Sequence, residues 1–330
     1  MSSTFLKPLG SGKYSDVFMV LSGKSKFAMK ISYYREETVR DFSKKMKNGD
    51  AKGAQRAKEM DAISVSRKFS EITELLAKSK ITPHFVYIYG THDVKSFIEK
   101  LPFDIMEKRL NQLSTFQKRY NNITFMELFS CDLTTFLART KYDEPLLRAF
   151  IFQVMYTIAA TQKVLPGWRH NDLSTNNVLV KKVVKENPTK YSVNGNDFYI
   201  KTRYFVAVTD FDFVHVPRIK RLENKRITSG NFKVDGDKNN SYDSHFFLKS
   251  ILKCLIKKHT KDFQSTIQFL KGLDLKTDDR QNKEIPGIDP ITILNNDYFN
   301  PLKKEIETTH EFSIDNPIDN SINMNNTTQL

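Results

Sequence analysis

The chain has few cysteines and no long apolar run, and each shortage excludes a class of protein. It has 330 residues but only two cysteines, Cys131 and Cys254, which excludes a disulfide framework and a zinc site built on cysteines. No apolar run approaches the roughly 20 residues that a membrane span needs. Residues 1–5 lack the apolar core of a signal peptide. We therefore expect an intracellular protein, cytoplasmic or nuclear, with no membrane span.

The composition allows a sizeable core and carries an excess of positive charge. Hydrophobic residues make up 39% of the chain and aromatic residues 12%. The formal net charge is +14, from 52 Lys and Arg against 38 Asp and Glu. Such an excess favours polyanionic partners, which include nucleotides, nucleic acid and acidic protein segments. A solvated basic surface is the alternative, because the lysines are spread along the whole chain. We expect a monomer.

The first part of the chain is predicted to be mainly β-sheet. Residues 5–32 alternate apolar and polar side chains around two turns that contain glycine, which predicts three short strands. Residues 35–80 are charged and have a helical period. Residues 85–89 and 123–128 are rich in β-branched and aromatic side chains and predict further strands. The first part therefore combines a sheet with one or two helices.

The rest of the chain is predicted to be mainly helical. Broad apolar faces predict buried helices over residues 146–160 and 243–257. Residues 177–184 and 204–209 predict short strands between them. The fold class expected is α+β. The expected division is a β-rich unit, a mainly helical unit and a polar, flexible tail: residues 1–128, 129–312 and 313–330.

The strongest motif runs from His170 to Asn177, with the sequence H-N-D-L-S-T-N-N, and an apolar strand follows it. It has the H-x-D-L-x-x-x-N form of a phosphotransferase catalytic loop. Asp172 would orient an acceptor hydroxyl and accept its proton. Asn177, five residues further on, would turn back to hold a metal ion. A tight loop that ends in a strand can point both side chains into one cleft.

A second motif is a predicted strand that ends in Thr209-Asp210-Phe211. A magnesium-binding Asp belongs at such a position. Mg²⁺ prefers one or two carboxylates together with phosphate oxygens and water. Asp210 and Asn177 supply that kind of ligand set. The alternative is that Asp210 caps a turn, and the catalytic-loop motif that precedes it weakens this alternative.

A third motif lies near the N-terminus, where residues 9–17 read L-G-S-G-K-Y-S-D-V. They resemble the pattern G-x-G-x-x-G-x-V, with Ser15 in place of the third glycine. The pattern lies between predicted strands, which argues against a Rossmann turn. Gly10 and Gly12 would let the backbone close over phosphates, and Val17 could cover an adenine ring.

The fourth motif is the strand that contains Ala28 and Lys30. Strand alternation puts these two side chains on one face, with Lys30 toward the phosphates. A flexible lysine needs a carboxylate to hold it, and Glu71 is the first choice, with Glu74 as the alternative. Glu71 is preferred because the same helix then has an inward apolar face, formed by Ile72, Leu75 and Leu76.

These four motifs occur in the order of the eukaryotic protein kinase fold, and the resemblance covers roughly residues 5–260. It is nearest to haspin-like and related viral serine/threonine kinases. A hairpin-like segment at 191–195 precedes Asp210, and no Ala-Pro-Glu element follows it. The resemblance implies a bilobal fold. It also implies transfer of the γ-phosphoryl group of ATP, with Mg²⁺, to Ser or Thr hydroxyls of a protein substrate.

The resemblance also implies further residues that contact ATP. Met126 would occupy the gatekeeper position, and the hinge from Glu127 to Phe129 would hydrogen-bond adenine. Asp132 would lie near the ribose. Asp243 matches the aspartate that anchors the backbone of the catalytic loop from below.

The chain departs from the family pattern at several positions. Asn171 stands where kinases usually have Arg, so control through a phosphorylated loop docked on that Arg is not expected. Asp212 replaces a glycine. Residues 218–226 carry five basic residues and one acidic residue, and could grip an acidic substrate or form a solvated loop.

Two other functions stay open. A small-molecule kinase of the aminoglycoside or choline kinase type would also use H-N-D-x-x-x-x-N. A pseudokinase scaffold would bind polyanionic partners, including nucleic acid, through the basic surface. The scaffold would need a broken site, whereas Lys30, Asp172, Asn177 and Asp210 are all present.

Overall fold

The structure is a computed structural model, and it divides into two compact units. Unit 1 comprises the residues up to 70 together with 86–128, and unit 2 comprises 71–85 and the residues from 129 onward. The division falls inside one helix, α3 (Ala62–Lys78). The residues that the structure describes are 4–59, 61–101, 103–217, 219–228, 240–258, 262–278 and 289–316.

Unit 1 contains a five-stranded antiparallel sheet with the strand order β1-β2-β3-β5-β4. Its strands are β1 (Thr4–Ser11), β2 (Ser15–Ser22), β3 (Ser25–Tyr33), β4 (Ile88–Lys95) and β5 (Tyr120–Met126). The three strands predicted within residues 5–32 are confirmed. The strand predicted from Phe85 begins later, because Phe85 forms a bridge with Val208 in unit 2 instead.

The helical stretch predicted at 35–80 contains three helices, and two more lie in the connection between β4 and β5. They are α1 (Glu36–Lys47), α2 (Ala51–Glu59), α3, α4 (Phe103–Leu110) and α5 (Thr115–Arg119). Gly49, with a φ of 73°, provides the left-handed turn after α1. The side chain of Asp61 accepts a hydrogen bond from the backbone of Ile63 at 3.0 Å and so supports the first turn of α3.

One face of the unit 1 sheet is covered by the connection between β4 and β5. Ile98, Leu101 and Met106 of this connection are buried against the sheet. The sheet residues in the same cluster are Phe18, Val20, Met29, Ile31, Tyr33 and Ile123. Burial of apolar area of this kind is the main source of folding free energy.

Unit 2 is mainly helical, as predicted. Its helices are α6 (Leu133–Arg139), α7 (Glu144–Val164), α8 (Lys225–Thr228), α9 (Tyr242–Lys258), α10 (Gln264–Gly272) and α11 (Pro290–Leu294). The buried helices predicted at 146–160 and 243–257 are α7 and α9. Asp143 caps α7 by accepting a hydrogen bond from the backbone of Leu146 at 3.0 Å. The α+β class, with a β-rich first unit and a mainly helical second unit, is confirmed.

Two small sheets belong to unit 2. One has the order β10-β7-β6, formed by β6 (Cys131–Asp132), β7 (Val178–Lys182) and β10 (Tyr204–Val208). The other has the order β11-β8-β9, formed by β8 (Thr189–Val193), β9 (Asn196–Ile200) and β11 (His310–Ser313). Asn194 and Gly195 close the β8–β9 hairpin with φ values of 47° and 79°, as a two-residue type I′ turn requires. The hairpin predicted at 191–195 is thus confirmed.

The ordered part of the chain extends past residue 313, where the sequence predicted a flexible tail to begin. β11 pairs in parallel with β8, and Ile314 after it is only 2% exposed. Asp315 forms an ion pair with Lys163 at 2.6 Å. The flexible tail predicted from 313 therefore does not include residues 313–315, and residues 317–330 lie outside the described part of the chain. No described helix combines the length and apolar character that crossing a bilayer requires.

Candidate active site

A buried carboxylate holds the backbone of the catalytic loop. Asp243, in the first turn of α9, is fully buried and accepts hydrogen bonds from the backbone N–H groups of His170 at 2.6 Å and Asn171 at 2.9 Å. Burial raises the pKa of Asp243 above its ordinary value, and the neighbouring His170 and the two N–H groups oppose that shift. The anchoring role that the resemblance implies for Asp243 agrees with these contacts.

Asn171 ties the catalytic loop to the segment that follows Asp210. Its backbone is left-handed, with a φ of 63°, and its Nδ2 donates a hydrogen bond to the carbonyl of Phe213 at 2.9 Å. Asparagine is one of the few residues other than glycine that adopt this conformation readily. The sequence indicated only that the usual Arg is missing here, because a motif does not reveal the backbone conformation.

Asp172 and Asn177 lie together, as the spacing of the motif predicts. The Nδ2 of Asn177 donates hydrogen bonds to the carbonyl of Asp172 at 2.7 Å and to its Oδ2 at 3.2 Å. The turn between them is closed by a bond from the Asn177 N–H to the carbonyl of Ser174 at 3.0 Å. Both residues are partly exposed, so the fold leaves them accessible.

Asp210 lies at the end of the β7–β10 ladder where Asn177 also lies. Val208 pairs with Val178, the residue after Asn177, and the N–H of Thr209 donates to the carbonyl of Asn177 at 3.0 Å. Asp210 comes directly after this bond and has a φ of 65°. The loop and the strand end are also joined by a hydrogen bond from His170 Nε2 to the carbonyl of Thr209 at 2.8 Å.

Phe211 fixes the chain immediately after Asp210. Its ring is buried and packs edge-to-face against His170, at 6.1 Å between centroids, and against Phe85, at 5.7 Å. Aromatic pairs favour this geometry. The backbone beside Asp210 is thus held on one side by a hydrogen bond and on the other by ring packing.

The oxygens at this end of the ladder fit a magnesium ion. The Nδ2 of Asn177 is used by Asp172, which leaves Oδ1 of Asn177 as the atom available to a cation. The carboxylate of Asp210 would be the second oxygen donor. Mg²⁺ commonly takes one or two protein oxygens and completes its shell with phosphate and water. Within the described ranges, no three His, Cys, Asp or Glu side chains cluster as metal ligands.

The glycine-rich segment of unit 1 forms the turn between β1 and β2. The N–H of Gly12 donates to the carbonyl of Ser15 at 2.8 Å and closes this turn. A Cβ at Gly10 would meet no atom within 4 Å, and neither Gly10 nor Gly12 has a positive φ. The fold of unit 1 itself therefore does not require glycine at these two positions.

Four of the residues predicted to contact ATP share one face of the unit 1 sheet. Val17 is paired with Lys30, and Ala28 is paired with Met126. Residues directly opposite each other on adjacent strands project from the same face, and so do residues two apart on one strand. The register therefore places Val17, Ala28, Lys30 and Met126 on a single face.

The predicted hinge residues are divided between the two units. In unit 1, the N–H of Glu127 donates to the carbonyl of Tyr87 at 2.9 Å. In unit 2, Phe129 is buried, and Asp132 caps α6 by accepting bonds from the N–H of Thr135 at 2.8 Å and from its Oγ1 at 2.7 Å. The capping role of Asp132 is new. Its predicted place near the ribose stays a prediction.

Glu71 and Glu74 both lie on α3. Glu71 is exposed, and it belongs to unit 2 whereas Lys30 belongs to unit 1. Glu74 forms an ion pair with Lys78 at 2.7 Å. Of the apolar face that favoured Glu71, Leu75 is 37% exposed and so does not belong to it, whereas Ile72 and Leu76 are buried. The pairing of Lys30 with Glu71 stays a prediction.

The basic segment at 218–226 is described only in part, because Arg218 lies outside the described residues. Asn224 in this segment donates through Nδ2 to the carbonyl of Asp212 at 2.9 Å, and through its N–H to His215 Nδ1 at 3.1 Å. The segment is therefore tied to the chain just after Asp210.

Comparisons with known proteins agree with the class that these residues define. A family model described as poxvirus serine/threonine protein kinase matches residues 134–296, which include the catalytic loop, Asp210 and Asp243. A protein of Acanthamoeba polyphaga mimivirus, named "Putative serine/threonine-protein kinase R400", is 27% identical over 271 residues, which are 73% of this chain. The match covers 54% of that relative, so the chain spans about half of its length.

Among solved structures, the crystal structure of the kinase domain of PF14_0431 superimposes on 90% of this chain and 95% of its own. The TM-score is 0.43 at 11% identity, which is too low to establish a shared fold or function. The residues gathered at this site resemble those of the protein kinase class. Within that class, the family model and the mimivirus relative confirm the resemblance to viral serine/threonine kinases.

Proposed function

We propose that the chain is an ATP-dependent protein kinase that transfers the γ-phosphoryl group to Ser or Thr hydroxyls of a protein substrate. The observation that carries the proposal is the meeting of Asp172, Asn177 and Asp210 at one end of the β7–β10 ladder. The match of residues 134–296 to a kinase family supports it.

In this proposal, Asp172 acts on the acceptor. Its carboxylate accepts a hydrogen bond from the substrate hydroxyl and takes the proton as the new oxygen–phosphorus bond forms. The bond between the γ-phosphorus and the bridging oxygen of ADP breaks in the same step. The hydrogen bond from Asn177 limits rotation of the Asp172 side chain. Positioning and charge stabilisation therefore account for most of the catalysis.

The remaining predicted residues would hold the nucleotide. Asn177 and Asp210 would hold Mg²⁺, which when bound offsets the negative charge of the phosphates. Lys30 would grip the α- and β-phosphates, with Glu71 holding Lys30. Gly10 and Gly12 would cover the phosphates, which accounts for glycine at positions where the fold of unit 1 does not require it.

The rest of the nucleotide site follows the resemblance. Ser15 and Val17 would complete the cover, and Ala28 and Met126 would line the adenine pocket. The hinge at Glu127 and Phe129 would hydrogen-bond the base, and Asp132 would face the ribose. The enzyme would act inside a cell, on a protein whose acidic segments the basic surface could attract.

The substrate class is tested by incubation with ATP labelled in the γ-phosphate. One reaction contains a mixed protein substrate, and the other contains a panel of amino alcohols and aminoglycosides. We expect label on Ser and Thr of protein with the wild type and none with Asp172→Ala. Label on the small molecules alone would favour the small-molecule kinase. Binding of Mg-ATP with no transfer to either would favour the scaffold.

A further inference from the structure

Arg109 at the C-terminal end of α4 contacts three residues of the glycine-rich segment. Its guanidinium grips Asp16 as a fork, with Nε donating to Oδ2 at 2.8 Å and Nη2 to Oδ1 at 3.0 Å. The same Nη2 donates to Ser11 Oγ at 2.6 Å and to the carbonyl of Gly12. The Arg109 and Asp16 side chains are only 12% and 7% exposed. Bidentate, charge-assisted pairs of this kind are the strongest side-chain hydrogen bonds.

Two further side chains donate hydrogen bonds to the Asp16 carboxylate and complete a network around it. The hydroxyl of Tyr33 donates to Asp16 Oδ2 at 2.6 Å, and Ser11 Oγ donates to Asp16 Oδ1 at 2.5 Å. Burial, and then Asp16 itself, raises the pKa of Tyr33 above its ordinary value, so this phenol stays a donor. The Arg109 guanidinium also lies 5.6 Å from the centre of the Tyr33 ring. The network therefore joins β1, β2, β3 and α4.

Arg109 reaches the glycine-rich segment from the face opposite to Lys30. Asp16 and Val17 are adjacent in β2, so their side chains project from opposite faces. Val17 shares its face with Lys30, whereas Asp16 shares its face with Phe18 in the apolar cluster. Arg109 therefore lies on the face of the sheet that carries the apolar cluster, and would act on the nucleotide only through the backbone it holds.

We propose that Arg109 is a positioning residue that holds the glycine-rich segment in place to cover the nucleotide phosphates. The inference rests on the proposed function. A segment that contains Gly10 and Gly12 loses much conformational entropy when it is ordered over a ligand. The contacts from Arg109 impose that order before the nucleotide binds. They also neutralise Asp16, whose carboxylate would otherwise repel a triphosphate nearby.

The test compares the 330-residue wild type, Arg109→Ala and Lys108→Ala by calorimetric titration with Mg-ATP and with adenosine. Lys108 is the matched control, because it is exposed, lies next to Arg109 on α4 and carries the same charge. We expect Arg109→Ala to weaken Mg-ATP binding roughly tenfold, with adenosine binding unchanged. Lys108→Ala should bind both ligands as the wild type does. In a kinase assay, the KM for ATP should rise more than kcat falls.

Several results would overturn the inference. One is wild-type Mg-ATP affinity in Arg109→Ala, and another is an equal loss of affinity for Mg-ATP and adenosine, which indicates a general structural defect. If Arg109→Ala does not fold, Arg109→Lys is measured instead. Lysine keeps the positive charge but cannot form the two parallel hydrogen bonds to Asp16. A Mg-ATP affinity between wild type and tenfold weaker supports the inference, and an unchanged one contradicts it. A wild type that binds no Mg-ATP overturns the proposed function itself, which is a different outcome.

Discussion

Asn171 combines a left-handed backbone with a side-chain hydrogen bond to Phe213, in a position where kinases usually carry arginine. Asn171 as a whole is only 8% exposed, so its side chain is not presented to a phosphate in solution. The hydrogen bonds from Asn171 and Asn224 hold the chain just after Asp210. That a phosphorylated loop docked on an arginine does not control the site stays a prediction.

Two substitutions separate the backbone role of Asn171 from its side-chain role. Asn171→Gly keeps the left-handed conformation and loses the bond to Phe213, which costs about 1 kcal/mol. Asn171→Ala loses the same bond and adds about 1–2 kcal/mol of backbone strain. We therefore expect the alanine variant to be the less stable of the two.

The measurement is urea unfolding followed through Trp168, the single tryptophan, which is buried in unit 2 close to Asn171 in sequence. Equal stability of the two variants would contradict this prediction, because it would show that alanine adopts the left-handed backbone at position 171 without extra cost.

At the scale of elements, the inserted β8–β9 hairpin is joined to α7 by a chain of buried hydrogen bonds. His84 Nδ1 donates to the carbonyl of Val206 at 2.8 Å, and the hydroxyl of Tyr191 in β8 donates to His84 Nε2 at 2.7 Å. Gln153 of α7 in turn donates to Tyr191 Oη at 3.3 Å. The chain works only with a neutral His84, because a protonated ring has no acceptor for Tyr191.

Unit 2 should therefore lose stability in mild acid. Burial lowers the pKa of His84 from 6.5 to about 4. As the pH falls from about 6.5 to about 4, His84 becomes protonated in the unfolded chain but stays neutral in the folded chain. The free energy of unfolding therefore falls by roughly 3 kcal/mol because of this residue. His84→Gln cannot titrate and should lose correspondingly less.

The comparison uses urea unfolding of the wild type and His84→Gln at pH 7 and at pH 4.5, followed through Trp168. Acidic groups change both proteins alike, so the difference between them isolates His84. An identical acid dependence in the two proteins would show that His84 is not held neutral.

Elements with a strong local pattern could be predicted from the sequence, and elements defined by distant partners could not. The strands within 5–32 alternate in a regular way, and α7 and α9 have broad apolar faces. β11 has only four residues and depends on a parallel pairing with β8, far away in the sequence. Helices α4 and α5 have only eight and five residues, too few to show a helical period over several turns.

The same distinction applies to the candidate site. The spacing within one loop predicted that Asp172 and Asn177 would meet, and Asp210 was predicted to lie at the end of the strand that precedes it. The pairing of Arg109 with Asp16 spans 93 residues, and no motif contains it. The capping role of Asp132 depends on a residue only three positions away, but the sequence predicted a place near the ribose for this side chain and not a helix cap.

At the scale of the whole molecule, the motifs that the resemblance relates to nucleotide binding are divided between the two units. Lys30 and the glycine-rich segment belong to unit 1, and Asp172, Asn177 and Asp210 belong to unit 2. The order of these motifs along the chain is what the resemblance to kinases rests on. The net charge of +14 favours the approach of a polyanionic ligand of any kind, so it cannot by itself identify ATP.

The most direct test measures Mg-ATP binding and phosphate transfer in the same preparations of the wild type, Asp172→Asn and Asp210→Asn. Asp41→Asn is the control, because Asp41 is an exposed carboxylate on α1 and the substitution removes the same charge. The account predicts that Asp172→Asn binds Mg-ATP as the wild type does while transfer falls roughly a thousandfold. Asp210→Asn should lose the increase in ATP affinity that Mg²⁺ brings, and Asp41→Asn should match the wild type in both measurements. Phosphate transfer by Asp172→Asn at the wild-type rate would contradict the account.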